Sequence, residues 1–355
     1  MARALEVFDA SLGTCLMGGN QFNVKGHWED LDFQDLNKEM LAATAREWHH
    51  VKPLDALECD LLYEKYSLRA SQLLLRKIPP DRPFGVKDPR FCLLLSFWRK
   101  VFLECGVDAS YVIALRNPLG VARSLETRNQ FPKEKSYWIW ITHVLGALRD
   151  SDGSPRILVD YNELLLDPKR QCQRVAKALQ LNINEEKLEH FQGSFLDSAM
   201  DHSGYQESTP AVDPASPVLA NQIYQTLHQI AVDPASSFGT NYQKRFEIWI
   251  DKFSMVNGLL SVFQSNEVAF REIKTLTVRR KELIGELRAV VSERDRRINF
   301  LIEEARKAGE ESQREIETLR TNNLEMRRSL DAVEDWQRSW FRRAFSRWHR
   351  VREDR

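Results

Sequence analysis

The sequence predicts an α/β protein with a parallel sheet, followed by a long helical arm. Over residues 1–195, short apolar runs of strand character alternate with segments of helical spacing, and strands separated by whole helices pair in parallel. Beyond Gly239 the chain contains no proline and is rich in Glu, Arg and Leu, which favours long helices. We therefore expect an α/β domain over 1–195, an irregular connector over 196–240 and a helical or coiled-coil region over 241–355.

The individual elements follow from the spacing of apolar residues and from turns that contain Pro or Gly. The predicted strands are Phe84–Val86, Ser110–Leu115 and Arg156–Val159. The predicted helices of the first region are Ala2–Leu12, Leu31–Trp48, Asp60–Arg76, 91–103, Pro118–Arg128, Glu134–Arg149 and Asp167–Leu179. In the connector, the sequence Ala-Val-Asp-Pro-Ala-Ser occurs at 211–216 and again at 231–236, and the two copies flank a predicted helix over Val218–Ile230.

Charge and cysteine content narrow the possible classes of protein. The 51 basic residues balance the 51 acidic ones, so global charge does not point to a nucleic-acid partner. The five cysteines are scattered and lack CxxC spacing, which favours reduced thiols in the cytoplasm and predicts no zinc or other metal site. No apolar run reaches the length of a membrane span.

The helical arm carries apolar residues at steps of three and four, as a coiled coil requires. The predicted seam is Ile298, Leu301, Ala305, Ala308, Ser312, Ile316, Leu319, Asn323, Met326, Leu330 and Val333. A core Asn such as Asn323 favours a dimer, so a homodimer through this arm is one expectation, and a solvated single helix is the alternative. The tail over 338–355 is rich in Arg and Trp, so it fits either a membrane surface or, as we favour, docking of a helix end on a partner.

Basic side chains follow two predicted strands at the points where those strands end. Arg116 comes directly after one strand, and Ser124 lies two turns into the next helix. Lys87 and Arg90 follow the preceding strand in the run Lys-Asp-Pro-Arg. Because ligands of open α/β sheets bind off the carboxyl ends of the strands, these four side chains predict a site for a phosphate-like anion.

Three segments together resemble a family of known function. They are Gly-Val-Lys-Asp-Pro-Arg at 85–90, Arg-Asn-Pro-Leu-Gly-Val-Ala-Arg-Ser-Leu at 116–125 and Val-Asp-Tyr-Asn-Glu-Leu-Leu-Leu-Asp-Pro at 159–168. Over 1–195 the chain resembles the sulfotransferases that use 3′-phosphoadenosine-5′-phosphosulfate (PAPS), and it is most similar to bacterial sulfotransferase-like proteins. The resemblance implies a P-loop-like, three-layer αβα fold and transfer of a sulfonate group from PAPS to a hydroxyl or amine of a carbohydrate or small metabolite.

The resemblance also implies roles for individual residues. Arg116 and Ser124 would bind the 3′-phosphate of PAPS. Lys87 would reach the sulfonate and the bridging oxygen, and Arg90 would face substrate or cofactor. The acceptor hydroxyl needs a base, for which Glu29 is the first candidate and His27 the second. The alternative is that Glu29 or Asp30 serves the N-terminus of the following helix.

One feature of the family is missing from the sequence. Relatives begin with a strand and a Gly-rich loop that holds the 5′-phosphosulfate, whereas no such strand or loop precedes the predicted helix over Ala2–Leu12. We expect either that the start of the gene is placed too late, which we favour, or that the segment has been lost. The second case would make the chain an inactive sulfotransferase-like domain that serves as a coiled-coil interaction protein.

Overall fold

The computed structural model describes residues 1–19, 23, 26–196, 213–233, 238–308 and 313–353. The chain divides into two compact units, Met1–Gln264 and Ser265–Arg355. The elements in chain order are a 3₁₀ helix over Ala2–Phe8, α1 Leu31–Ala43, α2 Ala56–Lys77, α3 Phe91–Glu104, β1 Tyr111–Leu115, α4 Pro118–Asn129, α5 Lys133–Asp150, β2 Arg156–Asp160, α6 Tyr161–Leu166, α7 Pro168–Leu179, α8 Glu185–His190, a π turn over Phe191–Phe195, α9 Val218–Val232, α10 Thr240–Ala308 and α11 Gln313–Glu353.

The described chain is mostly helical, with a small parallel sheet of two strands. β1 and β2 pair in register from Tyr111 opposite Arg156 to Leu115 opposite Asp160, which confirms two of the predicted strands and their parallel pairing. α4 begins at Pro118 as predicted, because proline needs no N–H partner there and the Asn117 side chain accepts the Leu119 N–H at 2.9 Å.

Two predictions for the start of the unit are wrong. The predicted helix over Ala2–Leu12 ends as a 3₁₀ helix at Phe8, because Asp9 turns into the left-handed region at φ 56°. The predicted strand over Phe84–Val86 is, among the described residues, a single parallel bridge between Phe84 and Ser11. Two hydrogen bonds of 2.8 Å, from Ser11 N–H to Pro83 O and from Gly85 N–H to Ser11 O, make that bridge.

The core of the first unit reaches beyond the predicted domain boundary at 195. α9 buries Ile223 and Leu227 completely in the same cluster as Ile113 of β1 and Trp140 of α5. The first turns of α10 join this cluster through Trp249 and other apolar residues. The described part of 196–240 is therefore not an irregular connector, and it belongs to the compact unit that ends at Gln264.

The repeated sequence lies at the two ends of α9. The described residues of the first copy precede the helix, whereas Ala231 and Val232 of the second copy are its last residues. The described parts of the two copies therefore differ in structure. Positions 211–212 and 234–236 lie outside the described residues.

The second unit consists of the end of α10 and the whole of α11. Ion pairs join Arg288 to Glu334 and Asp295 to Arg327, so the two helices run antiparallel. Buried residues recur every seven positions on both helices, at Ile284, Val291 and Ile298 on α10 and at Ile316 and Asn323 on α11.

Two details of the predicted seam differ from the structure. Val333 is 40% exposed, so it does not belong to the buried seam as predicted. The predicted continuous seam instead falls on two helices that pack against each other, with 309–312 outside the described residues. None of the described helices is long and apolar enough to cross a membrane.

Candidate functional site

Glu29 lies in the segment that leads into α1, and its backbone is held by a short antiparallel bridge. The Met17 N–H donates to Glu29 O at 2.7 Å, and the Leu31 N–H donates to Cys15 O at 2.8 Å. The Glu29 residue is 5% exposed. Asp30, not Glu29, caps α1 by accepting the Asp32 N–H at 3.1 Å, so Glu29 is left for a different role.

The structure brings two of the predicted site residues, Lys87 and Arg90, to the carboxylate of a third, Glu29. Lys87 Nζ donates to Glu29 Oε1 at 2.5 Å, and Arg90 Nη1 lies 3.9 Å from Glu29 Oε2. The Gln34 side chain of α1 donates to Oε2 at 2.8 Å. Both carboxylate oxygens are therefore engaged, while the Lys87 side chain remains 40% exposed.

Arg90 is held from its other side by a buried polar network. Asp88 Oδ1 accepts the Arg90 backbone N–H at 2.9 Å and its Nη1 at 2.8 Å. Asp88 Oδ2 accepts from Asn37 at 2.9 Å, and Asn37 in turn accepts the Trp98 indole N–H at 2.8 Å. Burial raises the pKa of Asp88 despite the nearby Arg90 and Asn37. The network fixes the loop that carries Lys87 and Arg90 against α1 and α3.

Burial and neighbouring charges shift the pKa of Glu29 and of His27. Burial alone would raise the pKa of Glu29, but Lys87, Gln34 and Arg90 together hold it below its usual value. Burial lowers the pKa of His27, and the positive charges of Lys87 and Arg128 lower it further against the opposing effect of Glu29. His27 is therefore neutral at pH 7, and Glu29 is ionised.

Arg116 and Ser124 lie at the carboxyl end of β1 and on α4. The Arg116 guanidinium carbon is 4.9 Å from the centroid of the Tyr161 ring, and Arg116 O accepts the Trp140 indole N–H at 3.1 Å. Among the residues that the structure describes, no carboxylate lies within ion-pair distance of Arg116. Ser124 is half-buried. A half-buried guanidinium without a carboxylate partner suits an anionic ligand.

Sequence reasoning missed Arg128 and Gln34. Arg128 lies at the end of α4, 5.8 Å from the centroid of Trp48, and burial lowers its pKa while Glu29 raises it. Pro118 begins α4, and Arg128 lies near its C-terminal end. No sequence pattern indicated that Arg128 would interact electrostatically with Glu29. For Gln34 the sequence gives a weak indication of a contact with Glu29, because Gln34 lies one turn into α1 after the Glu29–Asp30 pair.

No family model matches this chain, and comparison with curated proteins and with solved structures finds no match. The chemistry of the site is therefore inferred from its own residues. Lys87 pairs with Glu29 and Arg90 pairs with Asp88, and Arg116 adds a cation at the sheet edge that has no carboxylate partner among the described residues. Such an arrangement can bind an anion and stabilise negative charge that develops during a transfer reaction.

Proposed function

We propose that this chain transfers a sulfonate group from PAPS to a hydroxyl or amine of a carbohydrate or small metabolite. The observation that carries the proposal is the pairing of Lys87 with the buried carboxylate of Glu29, with Arg90 Nη1 3.9 Å from the same carboxylate. Cationic side chains held in fixed positions can stabilise the negative charge of a bound anion. The two parallel strands with their helices support, for the same region, the P-loop-like three-layer fold of the PAPS-dependent sulfotransferases.

The residues present fit the 3′-phosphate end of PAPS. Arg116 would hold the 3′-phosphate, since its guanidinium has no described carboxylate partner and is oriented by the Tyr161 ring. Ser124, two turns further along α4, would add a hydroxyl donor. When bound, PAPS supplies an activated sulfonate and a phosphate leaving group.

Lys87 and Glu29 act together in this proposal. Lys87 stabilises negative charge on the bridging oxygen, and Glu29 is the positioning residue that holds the lysine at 2.5 Å. The low pKa of Glu29 makes it a weak base. His27, neutral at pH 7 because burial lowers its pKa, is better suited to accept the proton of the acceptor hydroxyl.

The proposal is tested with PAPS and a panel of hydroxyl and amine acceptors, using the full chain. Lys87→Ala should reduce turnover far more than it weakens binding of adenosine 3′,5′-bisphosphate, the product nucleotide. Lys100→Ala is the matched control, because Lys100 is a lysine of similar exposure that pairs with Asp60 at 2.9 Å. Equal turnover in the two variants, or equal loss of turnover and binding in Lys87→Ala, contradicts the role of Lys87.

The second candidate function is that of an interaction protein in which the helical arm forms a coiled coil. One observation favours it: Leu276, Leu283 and Val290 lie seven residues apart on α10 and are 58%, 52% and 49% exposed. A second copy of the chain would cover this apolar row and give the homodimer expected from the sequence. Light scattering tests this idea, since Leu283→Lys should convert a dimer to a monomer, and a monomeric wild-type chain contradicts it.

Two further proposals concern the localisation of the protein and the role of the tail. The scattered cysteines favour the cytoplasm. The tail presents Phe345, which is 64% exposed, beside several arginines, and Trp336, which is 47% exposed, lies just before it. We favour docking of this end of α11 on a protein partner over contact with a membrane surface.

A further inference from the structure

The carboxyl edge of the sheet carries a histidine from outside the predicted α/β domain. β1 and β2 end at the paired residues Leu115 and Asp160, so Arg116 and Tyr161 leave the sheet side by side. α9 packs against β2 and brings His228 to this edge, where His228 Nδ1 lies 3.3 Å from Asp160 Oδ2. The position of His228 follows from the packing of α9, so the sequence pattern gave no sign of it.

A chain of contacts joins His228 to Arg116. The Trp140 indole donates to Arg116 O at 3.1 Å, and the Trp140 ring lies 6.5 Å from the Tyr224 ring in an edge-on arrangement. Tyr224 stacks on His228 with ring centroids 5.5 Å apart. Tyr161 links the two residues a second time, because its ring contacts the Arg116 guanidinium and Tyr161 directly follows Asp160. Both basic side chains therefore belong to one edge of the sheet.

Asp160 is placed so that it keeps His228 charged. Its Oδ1 accepts the N–H groups of Asn162 and Glu163 at 2.9 and 3.3 Å, which fixes the carboxylate at the start of α6. The Asp160 side chain is 2% exposed, whereas the His228 side chain is 40% exposed. The hydrogen bond to Asp160, with a further contribution from Glu163, raises the pKa of His228 against the opposing effect of burial.

We propose that His228 is a second cationic contact for the phosphate monoester that Arg116 binds, and that it makes binding at this edge depend on pH. The inference rests on the proposed function, since it takes a nucleotide with a 3′-phosphate as the ligand. A phosphate monoester carries close to two negative charges at neutral pH, which two separate cations match better than one guanidinium. When the imidazole loses its proton, the second contact is lost and affinity falls.

The experiment titrates adenosine 3′,5′-bisphosphate into the full chain at about pH 6.5 and about pH 9, on either side of the range in which His228 loses its charge. His228→Gln should weaken binding about tenfold at the lower pH and have no effect at the higher one. His190→Gln is the matched control, because His190 is an exposed histidine on α8. Arg116→Ala should weaken binding at both values.

A measurement on the unmodified protein gives an independent readout. The NMR titration of the His228 ring should show a pKa above 6.5 that rises when adenosine 3′,5′-bisphosphate is added and does not rise with adenosine 5′-monophosphate. Asp160→Asn should lower the pKa of His228 in the free protein. An unchanged His228 signal on addition of the bisphosphate overturns the inference even if the variants fold poorly.

The outcomes separate this inference from the proposed function. If Arg116→Ala weakens binding and His228→Gln does not at the lower pH, the role of His228 is wrong and the phosphate site at Arg116 stands. If neither variant changes the affinity, or if the wild-type chain does not bind the bisphosphate, both proposals fail.

Discussion

Replacement of Glu29 with glutamine removes the carboxylate that Lys87 contacts and keeps the size of the side chain. The two carboxylate oxygens accept from Lys87 at 2.5 Å and from Gln34 at 2.8 Å, and a glutamine has one acceptor oxygen for both donors. Loss of a charge-assisted hydrogen bond costs about 1.5–3 kcal/mol. Because the Lys87 side chain is 40% exposed, water solvates part of the freed charge, so we expect the free energy of unfolding to fall by about 1–2 kcal/mol.

The same substitution should act in the opposite direction on ligand binding. Without Glu29, the positive charges of Lys87, Arg90 and Arg128 are less well balanced, so adenosine 3′,5′-bisphosphate should bind more tightly. Turnover should nevertheless fall, because Lys87 is no longer held in position. A less stable protein that binds the nucleotide more tightly distinguishes this account from general damage to the site.

The stability assay is urea unfolding followed by tryptophan fluorescence, combined with calorimetric titration of the bisphosphate. Glu39→Gln is the matched control, because Glu39 on α1 pairs with Arg69 at 2.5 Å but its side chain is 48% exposed. The control should leave stability and binding unchanged. Unchanged stability in Glu29→Gln, or weaker binding of the bisphosphate, would refute the reasoning.

Three further predictions concern stability. Gly13→Ala should lower the melting temperature strongly, because Gly13 has φ +99° and a Cβ there would lie 2.2 Å from Asp30 Oδ2. Gly18→Ala is the control and should leave the melting temperature unchanged, because a Cβ at Gly18 would meet open space. Asn323→Leu should stabilise the second unit by about 1–3 kcal/mol, measured by hydrogen exchange. The reason is that Asn323 is buried and both polar atoms of its side-chain amide lack a hydrogen-bond partner in the described part of the chain. Destabilisation by this substitution would contradict the prediction. The pKa of Glu29 is lower in the folded chain than its unfolded value of about 4.3, so its contribution to stability is present above that pH and is lost as pH falls through the folded value. The melting temperature of Glu29→Gln should therefore fall less in acid than that of the wild type. If the melting temperatures of the two proteins fall in parallel as pH is lowered, the assigned pKa shift of Glu29 is wrong.

The parts of the fold that local chemistry determines were predicted well from the sequence. The strand–turn–helix unit that contains Arg116 follows from a β-branched run, the capping side chain of Asn117 and the fixed φ of Pro118, and all three act within a few residues. The contact between Lys87 and Glu29 spans 58 residues, so no periodicity reports it. Both residues had been singled out separately, but the roles expected for them did not include an ion pair.

The features that depend on tertiary packing could not be predicted from the sequence. The spacing of Ile223 and Leu227 predicts a helix but not the core that the helix joins. The partner of the helical arm could not be predicted either. A heptad pattern predicts a helix that packs against another helix, but that helix can belong to a second copy of the chain or to the same chain folded back on itself. Residues Phe84–Val86 have strand character, yet a strand forms only where a neighbour supplies its hydrogen bonds, and the structure shows one bridge to Ser11.

The central claim is that Arg116 and the basic groups around Glu29 form a site for a nucleotide with a 3′-phosphate. Calorimetric titration of the full chain with adenosine 3′,5′-bisphosphate and with adenosine 5′-monophosphate tests it most directly. The account predicts saturable binding of the bisphosphate, much weaker binding of the monophosphate, and a loss of about tenfold or more in affinity for the bisphosphate in Arg116→Ala. Equal affinity for the two nucleotides, or an unchanged affinity in Arg116→Ala, would contradict it.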